Sequence, residues 1–290
     1  MSIENREYLP RLLILFAVIL ALAAAPAMAQ EETEGDDVTE ETGGQSRESM
    51  AVDATATQWS FQFALEGNFN YKTDTMENGA PRPEGNKGFI QFRLVAPIAK
   101  SEKIPFTMLP RLTFRMVENK DGDYGFGQSD LFILGIVDQW ATGRWGIGPQ
   151  INFPAKEGFG SDKWGFGLAG AVTQRAMEDK LFLALLLQQV WTENPAGETK
   201  AAPLGINPVI VYQLGNGFYI GNGDFVIKYD YNTGGWFWPL RVRVGKAWIL
   251  PDKTWNAYFE YGTALEFKSW LGPVPEHTFR INVQFQIPVG

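Results

Sequence analysis

From Trp59 to the C-terminus, apolar and polar positions alternate along stretches of roughly ten residues. The clearest case is the last stretch. Phe279, Ile281, Val283, Phe285 and Ile287 take one parity, and Arg280, Asn282, Gln284 and Gln286 the other. Trp255, Ala257, Phe259, Tyr261, Leu265 and Phe267 likewise oppose Asn256, Glu260 and Glu266. Leu240, Val242 and Val244 oppose Arg241 and Arg243; Leu112, Phe114 and Met116 oppose Arg111, Thr113 and Arg115; Phe92 and Leu94 oppose Gln91 and Arg93. A period of two predicts β-strands with one apolar and one polar face. The pattern places twelve of them, near 58–71, 87–97, 106–117, 126–138, 144–154, 163–175, 181–192, 203–214, 218–229, 236–250, 254–267 and 277–288.

A soluble β-sandwich also alternates, so two further signals decide the solvent. The connections alternate in length. Those near 72–86, 118–125, 155–162, 193–202, 230–235 and 268–276 are long, whereas 176–180, Gly215-Asn216-Gly217 and Pro251-Asp252-Lys253 are tight; 98–105 is an exception. Short periplasmic turns and long outer loops are the habit of outer-membrane barrels. The ten Trp also fall at strand ends. Trp59, Trp140, Trp145, Trp248 and Trp255 belong to one end, and Trp164, Trp191, Trp236, Trp238 and Trp270 to the other. An indole joins an apolar body to one N–H, which suits a membrane–water interface. The expected fold is therefore all-β: an antiparallel up-and-down transmembrane β-barrel of about twelve strands. Three places resist the scheme. Leu181 to Leu187 is apolar at both parities and fits a strand against an internal plug, or a short helix. Phe126 to Ile136 alternates poorly. Lys246 shares the apolar parity, which suggests a bulge near Gly245.

Composition changes the picture mainly at the N-terminus. Arg6 and Arg11 precede an apolar run from Leu12 to Ala25 and the A-x-A stretch Ala27-Met28-Ala29. This reads as a cleaved signal peptide over 1–29. Residues 30–57 carry nine acids (Glu31, Glu32, Glu34, Asp36, Asp37, Glu40, Glu41, Glu48 and Asp53) against Arg47 alone, with no aromatic residue. That composition predicts a disordered acidic leader. The net charge of −8 belongs largely to this leader, because 58–290 holds 22 acids and 22 bases. No nucleic-acid surface is indicated. The absence of Cys excludes disulfides, thiolate metal sites and a lipidated N-terminal Cys.

Several stretches resemble one group of bacterial outer-membrane proteins: Trp145-Gly-Ile-Gly-Pro-Gln-Ile-Asn-Phe-Pro154, Ser161-Asp-Lys-Trp-Gly-Phe-Gly-Leu-Ala-Gly170, Leu187-Gln-Gln-Val-Trp191, Pro208-Val-Ile-Val-Tyr-Gln-Leu214 and Gly245-Lys246. The group is the transporter-like barrels associated with the MetA pathway of phenol degradation, sometimes mislabelled neuromedin U. The resemblance runs from about 126 to the end and implies a barrel in the outer membrane and passage of small, including aromatic, compounds. The chain departs from the usual barrel ending by finishing on Pro288-Val289-Gly290 rather than on an aromatic residue.

No catalytic set is expected, and no cofactor or metal. The single His, His277, has no G-x-S-x-G nucleophile partner in the sequence. Glu260 and Glu266, six residues apart on one strand, would stand roughly 20 Å apart, too far for a glycosidase pair. Asp121-Gly122-Asp123 and Asn222-Gly223-Asp224 fit turns better than weak Ca²⁺ sites. The polar parity is more informative. Arg93, Arg111, Arg115, Arg241, Arg243, Glu260, Glu266 and Arg280 are expected to face the lumen, with Glu66 joining them. They serve either as ion-pair ladders stiffening a narrow lumen or as a selectivity wall for anions. The expected function is passage of small solutes, aromatic acids or other anions among them, through an Arg-lined lumen. The expected partners are outer-membrane lipid, the solute and the barrel-assembly machinery of a Gram-negative bacterium. The alternatives are a plugged structural or binding barrel, a soluble periplasmic ligand-binding barrel, and a membrane hydrolase using His277.

Overall fold

The computed structural model describes residues 45–53, 55–102, 104–193 and 199–288. The signal peptide expected over 1–29, and residues 30–44 of the leader, lie outside them.

Twelve staves form one sheet that closes on itself. They are β1 (Gln58–Tyr71), β2 (Gly88–Val95), β3 (Met108–Glu118), β4 (Tyr124–Phe126 with Ser129–Trp140), β5 (Gly143–Phe153) and β6 (Gly165–Ala176). Then follow β7 (Leu181–Glu193), β8 (Thr199–Ala201 with Leu204–Gly215), β9 (Phe218–Asn222 with Ile227–Asp230), β10 (Gly235–Ile249), β11 (Thr254–Glu266) and β12 (Pro275–Pro288). Each pairs antiparallel with its neighbours in sequence, and β1 pairs with β12 from Gln58↔Pro288 to Tyr71↔Pro275, which removes both sheet edges. Closure is what allows strands to cross hydrocarbon, where a free edge could not be hydrogen-bonded.

The alternation fixes which face looks where. On β12 the even positions Arg280, Asn282, Gln284 and Gln286 are buried inside, while Phe279 and Ile287 are exposed. On β10, Leu240, Val242 and Val244 are exposed outside and Arg243 is buried. The outer surface thus presents apolar side chains and the lumen polar ones, the polarity of a membrane barrel.

At the end where β1 begins and β12 finishes, tight turns join the strands, except for the longer connection 96–107 between β2 and β3. Gly215, Asn216 and Gly217 all have positive φ (94°, 52° and 74°). A Cβ on Gly217 would lie 2.0 Å from the Ala247 carbonyl oxygen, so a side chain there has no room.

The two irregular stretches share one explanation. Phe132 and Leu134 on β4, Leu109 on β3, and Ala169 on β6 pack together inside the barrel with Ile136, Ala171 and Leu186. Phe182 on β7 packs beside them with Val211, Tyr219 and Tyr258. Both 126–136 and 181–187 lack alternation because the lumen wall they build is itself apolar. The segment 181–187 is a strand, not a helix.

Lys246 corrects the expectation of a bulge near Gly245. It pairs in unbroken register with Phe218 and Ala257. Its ammonium lies 4.4 Å from the Phe218 ring centroid and 5.7 Å from that of Trp248. A long stem reaching along the wall accommodates an outward Lys without breaking the strand.

Residues 45–53, expected to belong to a disordered acidic leader, are instead structured. Arg47–Val52 form a helix, α1, capped by Ser46, whose side chain accepts from Ser49 N–H. Ser49, Met50 and Ala51 are buried inside the barrel mouth at the tight-turn end.

Candidate functional site

The lumen wall of β1, β2, β10, β11 and β12 carries a connected charge cluster. Arg241 on β10 donates to Glu66 on β1 at 2.8 Å and to Glu260 on β11 at 3.0 Å. Arg280 on β12 meets Glu66 at 3.3 Å and Asp224 at 3.1 Å. Arg93 on β2 meets Asp224 at 3.2 Å. Glu260 also accepts from the Asp224 backbone N–H at 2.7 Å. Arg115 stands apart, paired with Asp130 at 3.0 Å and with the Gln128 carbonyl oxygen at 2.9 Å.

Asp224 reaches the centre because β9 breaks at 223–226. The ladder with β10 runs through Asn222↔Val242 and resumes at Lys228↔Phe237, one residue out of register. The facing strand offers Pro208, which has no N–H to give. The Asn222 side chain closes the gap, accepting from Ile210 N–H and donating to the Pro208 carbonyl oxygen, each at 2.6 Å. The Asn222-Gly223-Asp224 stretch is thus neither a surface turn nor a metal loop. No group of three or more potential metal ligands occurs among the described residues.

Two of the six arginines expected in the lumen have no carboxylate partner among the described residues. Arg111 lies flat over Phe132, 4.1 Å from the ring centroid. Arg243 sits between Tyr258 (5.1 Å) and Tyr219 (5.8 Å). The Nε of each is buried without a hydrogen-bond partner. Both guanidiniums line a lumen cavity of about 100 Å³. Its other walls include the apolar side chains Leu109, Phe132, Leu134 and Phe182 and the polar Arg93, Asn207 and Asp224, and its floor includes Val52 at the end of α1. Unpaired buried guanidinium is costly unless solvent or an anion neutralises it.

Glu266 does not join the cluster. The β10–β11 register shifts at Trp238/Pro239, where Trp238 faces Glu266 but Pro239 faces Ala264. One extra residue reverses parity, and Glu266 ends exposed at the rim, accepting from the Phe267 and Lys268 N–H groups at 3.0 Å each. The remaining expected lumen residues, Arg93, Arg111, Arg115, Arg241, Arg243, Glu260 and Arg280, take inward positions, as does Glu66. Asp224, Tyr219 and Tyr258 were not anticipated.

Of the ten Trp, seven are exposed on the outside: Trp59, Trp140, Trp145, Trp164, Trp191, Trp236 and Trp238. Trp248 and Trp255 face each other across β10 and β11, half-buried. Trp270 departs from the expected belt. It is buried, stacked on Phe237, and its carbonyl oxygen accepts from Arg82 at 2.6 Å. The loops at 72–87 and 267–274 fold together there, so the indole serves the loop cap rather than the lipid interface. His277 lies exposed on the barrel wall, its Nδ1 2.9 Å from the Tyr261 hydroxyl.

The mouth at the turn end is filled by residues 45–53. Arg144 Nη2 on β5 reaches Asp53 Oδ2 at 3.1 Å and Gln45 Oε1 at 2.8 Å. Ser46 N–H donates to Asp179 at 2.8 Å, and Gly217 N–H to Glu48 at 2.9 Å. Arg47 donates to the Lys253 carbonyl oxygen at 2.9 Å. Asn256 (2.9 Å) and Gln286 (3.2 Å) both donate to the Ala51 carbonyl oxygen, and Gln58 to that of Met50 at 2.9 Å.

No protein-family profile matches the chain, and no curated protein matches it. Solved structures do. An outer membrane channel from Pseudomonas putida F1 superposes with a TM-score of 0.54 at 14% identity, covering 88% of this chain and 99% of that one. The KdgM porin gives a TM-score of 0.47 at 11% identity over 80% of this chain and 99% of its own. Outer membrane phospholipase A from Escherichia coli gives 0.41 at 14% identity over 86% and 98%. At such identities the likeness is one of fold: the chain shares the closed antiparallel barrel architecture of outer-membrane proteins. The motifs between 126 and 290 imply the same architecture.

Proposed function

We infer that this barrel resides in the outer membrane of a Gram-negative bacterium, exported by a cleaved signal peptide and inserted by the barrel-assembly machinery, and that it passes small anions. The observation that carries the reading is the charge balance of the lumen. Beyond the pairs Arg144–Asp53 and Arg175–Asp179 at the mouth, six arginines (Arg93, Arg111, Arg115, Arg241, Arg243 and Arg280) and Lys228 face inward against four carboxylates (Glu66, Asp130, Asp224 and Glu260), and Arg111 and Arg243 are the two arginines left over. An excess of fixed positive charge in a low-dielectric enclosure raises the local concentration of anions. The apolar wall facing these guanidiniums suits a solute with a hydrophobic body and one acidic group, such as an aromatic acid.

Reversal potential across a salt gradient in a planar bilayer tests this. Anion preference is expected, and it should collapse in the Arg111→Ala, Arg243→Ala double variant. Cation preference in the unaltered barrel would sink the reading. A second reading draws on residues 45–53: with the mouth filled, the barrel is a closed binding or structural protein. It predicts no conductance under any voltage.

A further inference from the structure

We propose that residues 45–53 are a displaceable gate, closing the lumen at the turn end and leaving as a unit when the barrel conducts. The proposal rests on the channel reading above and adds what controls it.

Three observations carry it. The first is placement. The segment is bonded to β5, the turn at Asp179, the turn at Gly217, the turn at Lys253, β11, β12 and β1, which is contact along the perimeter from β5 round to β1. Anything moving from the arginine cavity toward that mouth meets Val52, which forms part of the cavity floor.

The second is the chemistry of attachment. Gln58, Gln213, Asn256 and Gln286 donate side-chain amides to carbonyl oxygens of the segment. Such bonds exchange for water at little net cost. The apolar contribution is confined to Met50, Ala51 and Val52. A permanent plug would be expected to bury a larger apolar face, whereas this one is held as a polar ligand is held.

The third is the latch. Asp53 and Arg144 form an ion pair whose side chains are 1% and 8% exposed. Gln45 bonds to both, its Nε2 3.2 Å from Asp53 and its Oε1 2.8 Å from Arg144. This is the segment's buried charge pair with the wall, and the wall keeps an intact strand when the segment leaves.

Single-channel recording provides the test, using the full mature chain, Asp53→Asn, Arg144→Gln, and a chain lacking 45–53. The full chain should be mostly closed. Each latch variant should raise open probability by roughly tenfold or more, the scale of one charge-assisted bond. The deleted chain should stay open and keep the anion preference of the parent. If the full chain conducts as freely as the deleted one, the gate does not exist. If the deleted chain is silent yet shows the heat-modifiable gel mobility of a folded barrel, the block lies elsewhere and the proposal also fails. A deleted chain that opens without anion preference would instead refute the selectivity reading and leave the gate standing. Should the deletion not fold, an Ala51→Cys, Gln286→Cys pair serves, since the chain has no other Cys. Oxidation should lock it shut and reduction release it. Equal conductance in both redox states would overturn the proposal.

Discussion

Arg93 and Asp224 meet across the lumen, Nη1 to Oδ2 at 3.2 Å, although their strands β2 and β9 stand five apart around a ring of twelve. Asp224 also neutralises Arg280 at 3.1 Å, so one carboxylate holds two guanidiniums from the opposite wall. Asp224→Asn leaves Arg93 without a carboxylate and Arg280 with Glu66 alone. Breaking a buried pair from one side costs roughly 3–5 kcal/mol, and lumen water should bring the loss to the lower end. The temperature at which the folded gel band converts to the unfolded one should fall, while anion preference in a bilayer should rise. Unchanged melting would show that the contact contributes nothing.

The arginines should separate into two classes by stability. Arg111 and Arg243 rest on rings rather than carboxylates, and replacing either by Ala strands no acid. The cost should stay within about 1–2 kcal/mol, the scale of a cation–π contact. Arg241→Ala removes the ion-pair partner of Glu260 and leaves Glu66 to Arg280 alone, both carboxylates being deeply buried, and should cost several-fold more. Urea titration of the purified barrel in lipid vesicles compares them. Equal losses would contradict the pairing described above.

The orientation of the wall can be tested from outside. Val244 lies mid-strand on β10, exposed. In lipid, Val244→Arg should cost about 2–4 kcal/mol, the midplane penalty for a cation. A soluble barrel would tolerate the same change within about 0.5 kcal/mol. Insertion yield into vesicles reads the difference directly.

The loop cap should respond to acid. Arg82 donates to Asp74 through Nε at 2.7 Å and Nη2 at 2.9 Å, and to the Trp270 and Gly272 carbonyl oxygens. The guanidinium holds the Asp74 carboxyl below its usual range. A lowered carboxyl value means the contact contributes fully above the ordinary value of about 3.9 and is lost as pH falls through the folded value. Hydrogen-exchange protection in 72–87, taken relative to the intrinsic rate at each pH, should therefore be flat from neutrality down to that range and fall below it. Arg82→Ala should show the acid behaviour already at neutral pH. Loosening that begins near pH 6 would point to another group.

Strand number, boundaries and facing were legible wherever one face is apolar and the other polar, as on β10 and β12. They blurred on β4 and β7, because Phe132, Leu134 and Phe182 turn inward onto other apolar side chains, and parity carries no signal when both faces are greasy. Glu266 was placed in the lumen by parity counting, which one extra residue near Leu265 reverses. Asp224 read as a turn because Asn-Gly-Asp is a turn composition; nothing local announces that a strand breaks inward. The helix at Arg47–Val52 lay hidden in an acidic stretch. Its attachments are hydrogen bonds to carbonyl and carboxylate oxygens and one ion pair, and hydrophobic patterning is blind to both. Ser46 as a cap before Met50-Ala51-Val52, the run of three apolar residues in that leader, was the available clue.

The seam between β1 and β12 has a consequence for the order of events at birth. Its partners are as far apart as Gln58 and Pro288, so no local hairpin can complete the ring, and the curved sheet must wait open until its final stave exists. The helix ends at Val52 and β1 begins at Gln58, so the short rod hangs directly beside the last joint to be made. It is enclosed when the two ends of the sheet meet, and a cell that stalls that final step would hold a sheet with an unfilled centre and two bare margins.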